Sequence, residues 1–327
     1  MTRLLLLATG DTMAFHPRPG RGAFASGAEL LAALPAGSVP AEVTVEDLLA
    51  VPSWDLDPET MLRLARRART AVLDDGYDGV VITHGTDTLE ETAYLTDLLA
   101  GAAVERAGIV YTGAMRPPTE LSADGPRNLR SALVAAGDPA LRGVGVVACL
   151  NDELHAARWV TKIDATGVAA FSSAPYPVLG RVVDAGVEML APPPPRPPAP
   201  TGEPESAVAL IKTYPGIDGV LLHAVVDAGA RGVVLEGTGL ANVPIGLLTA
   251  IDELTGWDIP VVVSSRARFR EVSPEGSYGG GTLAARVGAI GARGLAPVKA
   301  RAALMVALGD GGVRTARDWF GRLDGGV

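Results

Sequence analysis

Cysteine and histidine are scarce in this chain. Among its 327 residues there are one cysteine, Cys149, and four histidines. A single cysteine has no partner for an internal disulfide bond, and no group of histidine and cysteine residues has the spacing of a metal site. The sequence therefore predicts a fold that needs no oxidising conditions and a protein that binds no metal.

Basic residues are also fewer than acidic residues. The chain has 28 Lys and Arg against 37 Asp and Glu, a formal net charge of −9 and an isoelectric point near 5.0. Surfaces that bind phosphate backbones need clustered Lys and Arg. The one basic cluster, Arg63, Arg66, Arg67 and Arg69, alternates with apolar positions, which is typical of the solvated face of a helix. We therefore expect no nucleic-acid partner.

No apolar run approaches the roughly 20 residues that span a bilayer. The first apolar run, residues 4–8, lacks the longer apolar region and the small-residue cleavage site of a signal peptide. The sequence accordingly predicts a soluble, cytoplasmic protein without a membrane partner.

Proline is abundant and marks a boundary. The chain is 48% hydrophobic and 20% charged, and it is long enough for two domains. Residues 191–206 contain a proline-rich stretch that can form neither a helix nor a central strand. We predict that this stretch is an extended linker. The resulting division is an N-terminal domain at residues 1–190, a linker at 191–206 and a C-terminal domain at 207–327.

Short apolar runs alternate with amphipathic runs on both sides of the linker. The predicted strands are residues 4–8, 79–83, 108–111 and 143–149 before it, and 208–211, 232–235 and 260–264 after it. The predicted helices after the linker lie near residues 218–228 and 244–254. This alternation indicates parallel strands joined by right-handed crossovers. We expect an α/β fold with a larger N-terminal parallel-sheet domain, flanking helices and a smaller C-terminal α/β domain.

The clearest predicted helix follows Asp57. Pro58 suits the first helical position, and apolar residues from Met61 to Val72 repeat at helical spacing. This pattern predicts a helix that packs one apolar face on the sheet.

Polar side chains follow two of the predicted strands. Ligands of open α/β sheets bind outside the carboxyl ends of the strands. The run Thr9-Gly10-Asp11-Thr12 follows the first strand, where glycine permits a tight turn. The run His84-Gly85-Thr86-Asp87-Thr88 follows the second strand and precedes a predicted helix.

The second run has a structural and a functional interpretation. Thr86 or Thr88 can cap the helix, and the acidic residues Glu90 and Glu91 favour its positive end. A capped helix does not explain why one strand end presents His84, Thr86 and Asp87 together. These three groups can accept, donate or position protons, which is typical of a catalytic site.

Both runs resemble signatures of the bacterial L-asparaginase and glutaminase-asparaginase family. The second run, with the Glu90-Glu91-Thr92 that follows, matches one family signature without a gap, and the first is similar to the family's Thr-Gly-Gly-Thr. The resemblance continues in order through nearly the whole chain, in the segments Thr112-Gly113-Ala114-Met115-Arg116-Pro117, Ser122-Ala123-Asp124-Gly125-Pro126, Val160-Thr161-Lys162, Tyr214-Pro215-Gly216 and Gly237-Thr238-Gly239.

The resemblance implies an amidohydrolase that uses a threonine and needs no cofactor. Thr12 aligns with the family's nucleophile, and Thr86, Asp87 and Lys162 align with the rest of its catalytic group. A threonine hydroxyl needs an adjacent base and a place for the oxyanion. We expect Lys162 to act as this base if it lies desolvated beside Thr86. The glycines Gly10 and Gly85 let backbone N–H groups approach the oxyanion of the tetrahedral intermediate.

The resemblance also implies how substrate and subunits meet. Ser53 matches the loop serine that binds substrate carboxylates, and Asn242 aligns with an asparagine that reaches into the neighbouring subunit's site. We therefore expect a homo-oligomer, a dimer or a tetramer, with sites near the subunit interface. The acidic residue that the partner subunit lends is Glu271 or Glu275, and the spacing to Tyr278 leaves both open.

Three residues depart from the family pattern at the site. No tyrosine precedes Tyr77, so the loop after Thr12 lacks the family's tyrosine and offers Phe15, His16 and Phe24. His16 is either a base, since its ordinary pKa suits neutral pH, or a solvated loop residue.

The other two departures concern substrate binding. Trp54 stands where the family has a glutamine or an acid that binds the substrate's ammonium group. An indole has one donor and no acceptor, so Trp54 can only stack on a cation or fill the pocket. Asp11 replaces the second glycine of the first signature. It either repels a substrate carboxylate, holds a cation, or caps the turn.

The leading hypothesis is hydrolysis of L-asparagine to L-aspartate and ammonia, or of a related small amide. Its alternatives are an amidase for a different, bulkier amide and a non-catalytic ligand-binding homologue. The ammonia-generating subunit of a tRNA-dependent amidotransferase carries an extra N-terminal domain. Because the first predicted strand begins near residue 3, the sequence disfavours that hypothesis.

Overall fold

The computed structural model describes residues 1–16, 24–197, 199–267 and 279–323. The chain divides into two compact units, Met1–Pro194 and Pro195–Val327. The described part of residues 191–206 contains neither helix nor strand. We propose that residues 191–206 form a linker between a domain at residues 1–190 and a domain at residues 207–327.

The N-terminal unit is built on an eight-stranded sheet. Its strands are β1 (Arg3–Ala8), β2 (Glu42–Asp47), β3 (Gly79–Thr83), β4 (Gly108–Thr112), β5 (Val146–Leu150), β6 (Glu153–Ala156), β9 (Gly180–Val183) and β10 (Gly186–Met189). The order is β10-β9-β6-β5-β4-β3-β1-β2. The strands from β2 to β5 pair in parallel, whereas β6, β9 and β10 pair antiparallel at the other edge. A separate pair consists of β7 (Thr161–Lys162) and β8 (Phe171–Ser172).

Helices connect these strands. They are α1 (Gly27–Ala32), α2 (Pro58–Leu73), α3 (Leu89–Ala100), α4 (Ala103–Arg106) and α5 (Gly125–Gly137), with short 3₁₀ helices at Thr12–Ala14, Ser53–Asp55 and Pro139–Leu141. The predicted start of α2 is confirmed, because the Asp57 carboxylate accepts a hydrogen bond from the Thr60 backbone N–H at 2.7 Å. The pKa of Asp57 is lowered by hydrogen bonds from Thr60, first from its side chain and then from its backbone N–H.

The central strands are buried on both faces. Every residue of β3, β4 and β5 is buried, as expected for parallel strands covered by helices on each side. Side chains alternate between the faces of a strand. Leu4 and Leu6 of β1 pack into a core cluster with α5, and Leu5 and Leu7 are equally buried on the opposite face. The all-apolar strand sequences follow from this burial.

The C-terminal unit is a smaller parallel α/β layer. Its sheet has the order β11 (Val208–Lys212), β12 (Gly232–Gly237), β13 (Val261–Ser265) and β14 (Ile290–Gly291). Its helices are α6 (Val220–Asp227), α7 (Leu248–Gly256), α8 (Gly280–Arg286), α9 (Pro297–Leu308) and α10 (Val313–Gly321), and a 3₁₀ helix covers Ile245–Leu247. Apolar residues of β12, β13 and α7 form its core.

The predicted two-domain α/β fold is confirmed, and the structure adds details that the sequence did not indicate. The N-terminal sheet is mixed, because its far edge is antiparallel. The strand predicted at residues 143–149 begins at Val146, since Gly143 and Gly145 adopt positive φ angles of 78° and 95° that break an extended strand. Over the described residues, every helix is too short or too polar to cross a bilayer.

Candidate active site

The carboxyl ends of β1 and β3 bring the two predicted motifs together. The strands are parallel neighbours, with Leu7 paired to Ile82. Just beyond them, the Thr9 hydroxyl donates to the Thr83 carbonyl at 2.7 Å, and the Thr9 backbone N–H donates to the Thr83 hydroxyl at 3.3 Å. These bonds fix the two strand ends from which Thr12 and Thr86 follow.

Lys162 joins two of the predicted catalytic residues. Its Nζ lies 2.7 Å from the Thr86 hydroxyl oxygen and 2.6 Å from Asp87 Oδ1. The Lys162 side chain is 16% exposed, whereas that of Asp87 is 49% exposed. A mostly buried amine in contact with a buried hydroxyl can exchange a proton with it, and the carboxylate orients the amine.

Asp11 bridges the nucleophile candidate and Ser53. Its Oδ1 accepts hydrogen bonds from the Thr12 backbone N–H at 2.6 Å and from the Thr12 hydroxyl at 3.0 Å. Its Oδ2 accepts one from the Ser53 backbone N–H at 2.6 Å. The residue is 6% exposed and has a φ of 69°. Asp11 thus caps the 3₁₀ helix that begins at Thr12, as one of the alternatives predicted.

Ser53 is buried and is held at its backbone N–H and at its carbonyl. Its backbone N–H bonds Asp11, and its carbonyl accepts a hydrogen bond from the Thr88 hydroxyl at 2.8 Å. The predicted capping of α3 by Thr88 is therefore wrong in detail: Thr88 stands at the cap position, but its hydroxyl binds Ser53. The Ser53 hydroxyl is fully buried, and no described residue pairs with it. It remains available to a bound molecule.

Gly85 makes the close approach of these groups possible. A Cβ added at Gly85 would overlap the Asp11 carboxylate and the Ser53 hydroxyl. Gly10 has a φ of 91°, and a Cβ there would lie 3.2 Å from the Ala50 Cα. Both predicted glycines thus stand where a side chain would crowd the site or strain the backbone.

His84 lies inside the unit and is 2% exposed. Its Nδ1 lies 2.7 Å from the Gly85 carbonyl oxygen, so this nitrogen carries the proton and donates it. Burial lowers the pKa of His84 and keeps the ring neutral. The ring packs 5.8 Å from that of Tyr111, whose pKa is raised by burial.

The remaining predicted residues have different surroundings. Trp54 is 65% exposed, and His16 is half-buried. Phe15 and Phe24 pair through an antiparallel bridge, with ring centroids 6.3 Å apart. Asn242 belongs to the C-terminal unit, where its Oδ1 accepts a hydrogen bond from the Gly281 backbone N–H at 3.2 Å.

Glu271, Glu275 and Tyr278 lie outside the described residues. The choice between the two acids as the partner subunit's contribution stays a prediction.

A cavity of about 540 Å³ lies beside the first 3₁₀ helix. Met13, His16, Phe24 and Leu129 are among its lining residues. Thr86, Asp87, Lys162 and Ser53 do not line this cavity. The candidate active site at the strand ends is therefore a different place from this cavity.

Two supporting residues escaped the sequence analysis. The Glu90 carboxylate accepts a hydrogen bond from the Lys162 backbone N–H at 3.4 Å, and Thr88 holds the Ser53 carbonyl. From the sequence, Glu90 is expected only to interact favourably with the positive, N-terminal end of α3. These contacts join positions 72 and 35 residues apart, so local spacing gives no signal for them.

Each of the two parts of the chain matches a known protein-family model. The Asparaginase, N-terminal model matches residues 3–195, and the Glutaminase/Asparaginase C-terminal domain model matches residues 207–320. This chain belongs to the asparaginase family. As a member of that family the protein is an amidohydrolase.

Individual asparaginases resemble it over almost their whole length. The "Probable L-asparaginase" of Deinococcus radiodurans is 36% identical, covering 96% of this chain and 95% of that protein. "L-asparaginase 2" of Bacillus subtilis is 32% identical, covering 94% of this chain and 83% of that protein. A crystal structure of a probable cytoplasmic L-asparaginase from Campylobacter jejuni superposes with a TM-score of 0.85 at 32% identity, covering 98% of this chain and 99% of that one.

Proposed function

We propose that this asparaginase-family protein hydrolyses a small primary amide, L-asparagine or a related compound, with Thr12 as the nucleophile. The observation that carries the proposal is the position of Lys162 Nζ between the Thr86 hydroxyl and Asp87. Thr86 and Asp87 follow β3, Thr12 follows the neighbouring strand β1, and Lys162 reaches them from β7. The names of the related proteins favour asparagine as the substrate.

The first half-reaction is acylation of Thr12. Its hydroxyl oxygen attacks the amide carbon, and the proton passes to the base formed by Thr86 and Lys162. Backbone N–H groups beside Gly10 and Gly85 stabilise the oxyanion. The tetrahedral intermediate then collapses: the C–N bond breaks, the nitrogen takes the proton, and ammonia leaves.

The second half-reaction is hydrolysis of the acyl-threonine ester. Water attacks the same carbonyl carbon, and its proton passes through Thr86 and Lys162 back to the Thr12 oxygen. Asp87 orients Lys162 throughout, because its Oδ1 lies 2.6 Å from Nζ and holds the amine against Thr86 in either protonation state. The products are a carboxylic acid and the free enzyme.

Substrate binding in this proposal uses residues around the strand ends. The buried Ser53 hydroxyl and the Gly85 backbone bind the polar end of the substrate. Trp54 is 65% exposed and can cover a bound substrate or stack on its cationic group. Asn242 and one of Glu271 and Glu275 contribute from a neighbouring subunit.

The first test is ammonia release by the wild type, Thr12→Ala and Thr86→Ala with L-asparagine, L-glutamine and larger amides. We expect each substitution to lower kcat by a factor on the order of 10³ or more, because each removes a group that acts on the reacting atoms. Thr70→Ala is the control, since Thr70 is exposed on α2. Unchanged release by Thr12→Ala would contradict the proposed nucleophile. Binding of an amide without any ammonia release would indicate the non-catalytic homologue.

We further propose that the protein is a homo-oligomer, a dimer or a tetramer. The C-terminal unit exposes an apolar surface, which we define by Tyr214, Val220, Leu221, Leu240 and Ile245, whose exposures range from 42% to 73%. Of the residues in α6, only Leu222 is buried, although the helix is almost entirely apolar. Exposed apolar residues in such number are typical of subunit interfaces, and a second copy of this chain is the occupant that we propose.

We also propose a cytoplasmic location. The Campylobacter jejuni structure is described as a probable cytoplasmic enzyme, which favours this location, although relatives described as periplasmic exist. Fractionation of the source cells tests it: recovery of the protein with periplasmic markers would overturn the proposal.

A further inference from the structure

The Asp11 carboxylate occupies a position where a ligand carboxylate would be well bound. It accepts a hydrogen bond of 2.6 Å from the Ser53 backbone N–H and lies where a Cβ of residue 85 would be if that residue were not glycine. The carboxylate is 6% exposed. The Ser53 hydroxyl, which no described residue pairs with, lies beside it, since a Cβ added at Gly85 would overlap both groups. The Ser53 backbone N–H is therefore already bound to the protein's own carboxylate, whereas the Ser53 hydroxyl is not.

The same carboxylate also lies next to the proposed nucleophile. Asp11 Oδ1 accepts the hydrogen bond of the Thr12 hydroxyl at 3.0 Å. Any substrate whose amide carbon reaches Thr12 thus comes within a few ångströms of a buried negative charge. Within the described part of the chain, no Lys or Arg forms an ion pair with Asp11 to neutralise this charge.

A buried carboxylate that no described Lys or Arg pairs with discriminates between substrates by charge. A second carboxylate placed beside it is repelled strongly, because the protein interior screens charges less than water does. A neutral or cationic substituent at the same place carries no such penalty. The arrangement therefore disfavours amides that bear a carboxylate close to the reacting amide.

We propose that Asp11 is a specificity-determining residue that holds the anion position at Ser53 and makes this enzyme prefer amides without a neighbouring carboxylate. The inference rests on the proposed function, since it specifies the substrate class of the same site. L-asparagine remains a substrate, but it must bring its carboxylate into a site already occupied by one. Its decarboxylated analogue, 3-aminopropanamide, carries the same amide and amine without that group.

These two amides are the matched probes for the test. The ratio of their kcat/KM values isolates the effect of the carboxylate, because any change that Asp11 makes to Thr12 reactivity affects both substrates alike. Asp11→Asn keeps the size of the side chain and an acceptor oxygen but removes the charge. Asp11→Gly vacates the position, and glycine accepts the φ of 69° without strain.

We expect the wild type to favour 3-aminopropanamide over L-asparagine. Both variants should shift the ratio toward L-asparagine by a factor on the order of 10 to 100, as the removal of one like charge at close range predicts. A ratio that stays within about twofold of the wild-type value in both variants would overturn the inference, and so would a wild type that prefers L-asparagine.

Asp138→Asn is the matched control. Asp138 also caps a 3₁₀ helix, and it accepts hydrogen bonds from the backbone N–H groups of Ala140 at 2.9 Å and Val187 at 2.8 Å. It follows the end of α5, away from the carboxyl ends of the strands. Its substitution removes a similarly bonded carboxylate and should leave the substrate ratio unchanged.

A binding measurement separates this inference from the proposed function. In a Thr12→Ala background, calorimetry gives the Kd of L-asparagine directly, with Asp11 present or replaced by Gly. We expect the Kd to fall 10- to 100-fold in the double variant, on the same order as the kinetic shift, and an unchanged Kd would refute the role of Asp11. If the wild type instead releases no ammonia from these two amides or from any other amide tested, the proposed function fails, and the Kd still decides about Asp11.

Discussion

At the scale of single residues, the candidate site depends on contacts between groups that are distant in sequence. Lys162 reaches Thr86 and Asp87 across 76 and 75 residues, and Asp11 reaches Ser53 across 42. Each contact is short, between 2.6 and 2.7 Å, so each one fixes the orientation of a polar group. The chemistry of Lys162 follows from this position and not from the residue type, because an isolated lysine is an ordinary surface cation.

The role of Lys162 can be tested by removing its amine. Lys162→Met keeps the length of the side chain, and we expect kcat to fall by a factor on the order of 10² to 10⁴, the range typical of losing a proton-transfer group. Lys212→Met is the control, because Lys212 is 68% exposed and pairs with Glu236 on the C-terminal unit. Equal activities of the two variants would remove Lys162 from the mechanism.

His84 makes the stability of the protein depend on pH. Its ordinary pKa is 6.5 and burial lowers it, so the folded protein keeps the ring neutral while the unfolded chain takes up a proton as the pH falls below about 6.5. The contribution of the neutral ring is fully present above that pH and is lost below it. The free energy of unfolding should therefore decrease by up to about 1.4 kcal/mol per pH unit in acid.

His84→Asn tests this dependence, since the asparagine amide can still donate to the Gly85 carbonyl. We expect a flatter stability profile between about pH 5 and 6.5 in urea denaturation, because the group that titrates is gone. The wild type, denatured in parallel over the same pH range, is the reference for this slope. An unchanged slope in His84→Asn would mean that this ring does not titrate differently on folding.

At the scale of secondary structure, tight helix packing constrains the start of β3. A Cβ added at Gly79 would overlap the carbonyl of Ala136 in α5. We expect Gly79→Ala to lower the free energy of unfolding by about 1 to 3 kcal/mol, the usual cost of overpacking. Gly137→Ala is the matched control, since Gly137 is the last residue of α5. A Cβ added at Gly137 would lie 3.5 Å from its nearest atom, Thr2 Cγ2, which is an ordinary van der Waals contact.

Denaturant midpoints of the two glycine variants distinguish packing from backbone entropy. Gly137→Ala should be neutral or stabilising by up to about 1 kcal/mol, because alanine reduces the entropy of the unfolded chain. If both substitutions have the same effect, the close approach of α5 to β3 does not determine the stability of this element.

At the scale of the whole molecule, the apolar surface of the C-terminal unit predicts self-association. Val220→Asp and Leu221→Asp place charges on that surface, and burial of an unpaired charge in an interface is costly. We expect light scattering to give a multiple of 33.5 kDa for the wild type and a mass near 33.5 kDa for the double variant. Val183→Asp, on β9 of the N-terminal unit, should leave the mass unchanged. A wild type of single-chain mass would contradict the proposed oligomer.

The sequence by itself determined the fold class and the membership of the family. Buried parallel strands must be apolar along their whole length, so β1, β3 and β4 could be recognised from composition. The motifs after these strands were visible because a turn glycine and its polar neighbours are adjacent in the chain. The edge strand β2, with the sequence Glu-Val-Thr-Val-Glu-Asp, was missed because its burial is partial and its charge resembles that of a loop.

Only the tertiary structure decided what Asp11 does. Three alternatives were open from the sequence, namely capping a turn, opposing a substrate carboxylate and holding a cation, and local spacing could not choose between them. The fold shows one carboxyl group with two kinds of contact: Oδ1 caps the helix that begins at Thr12, and Oδ2 binds the Ser53 backbone. The physical reason is that hydrogen bonds between distant segments depend on how strands and loops meet in space, which no local pattern encodes.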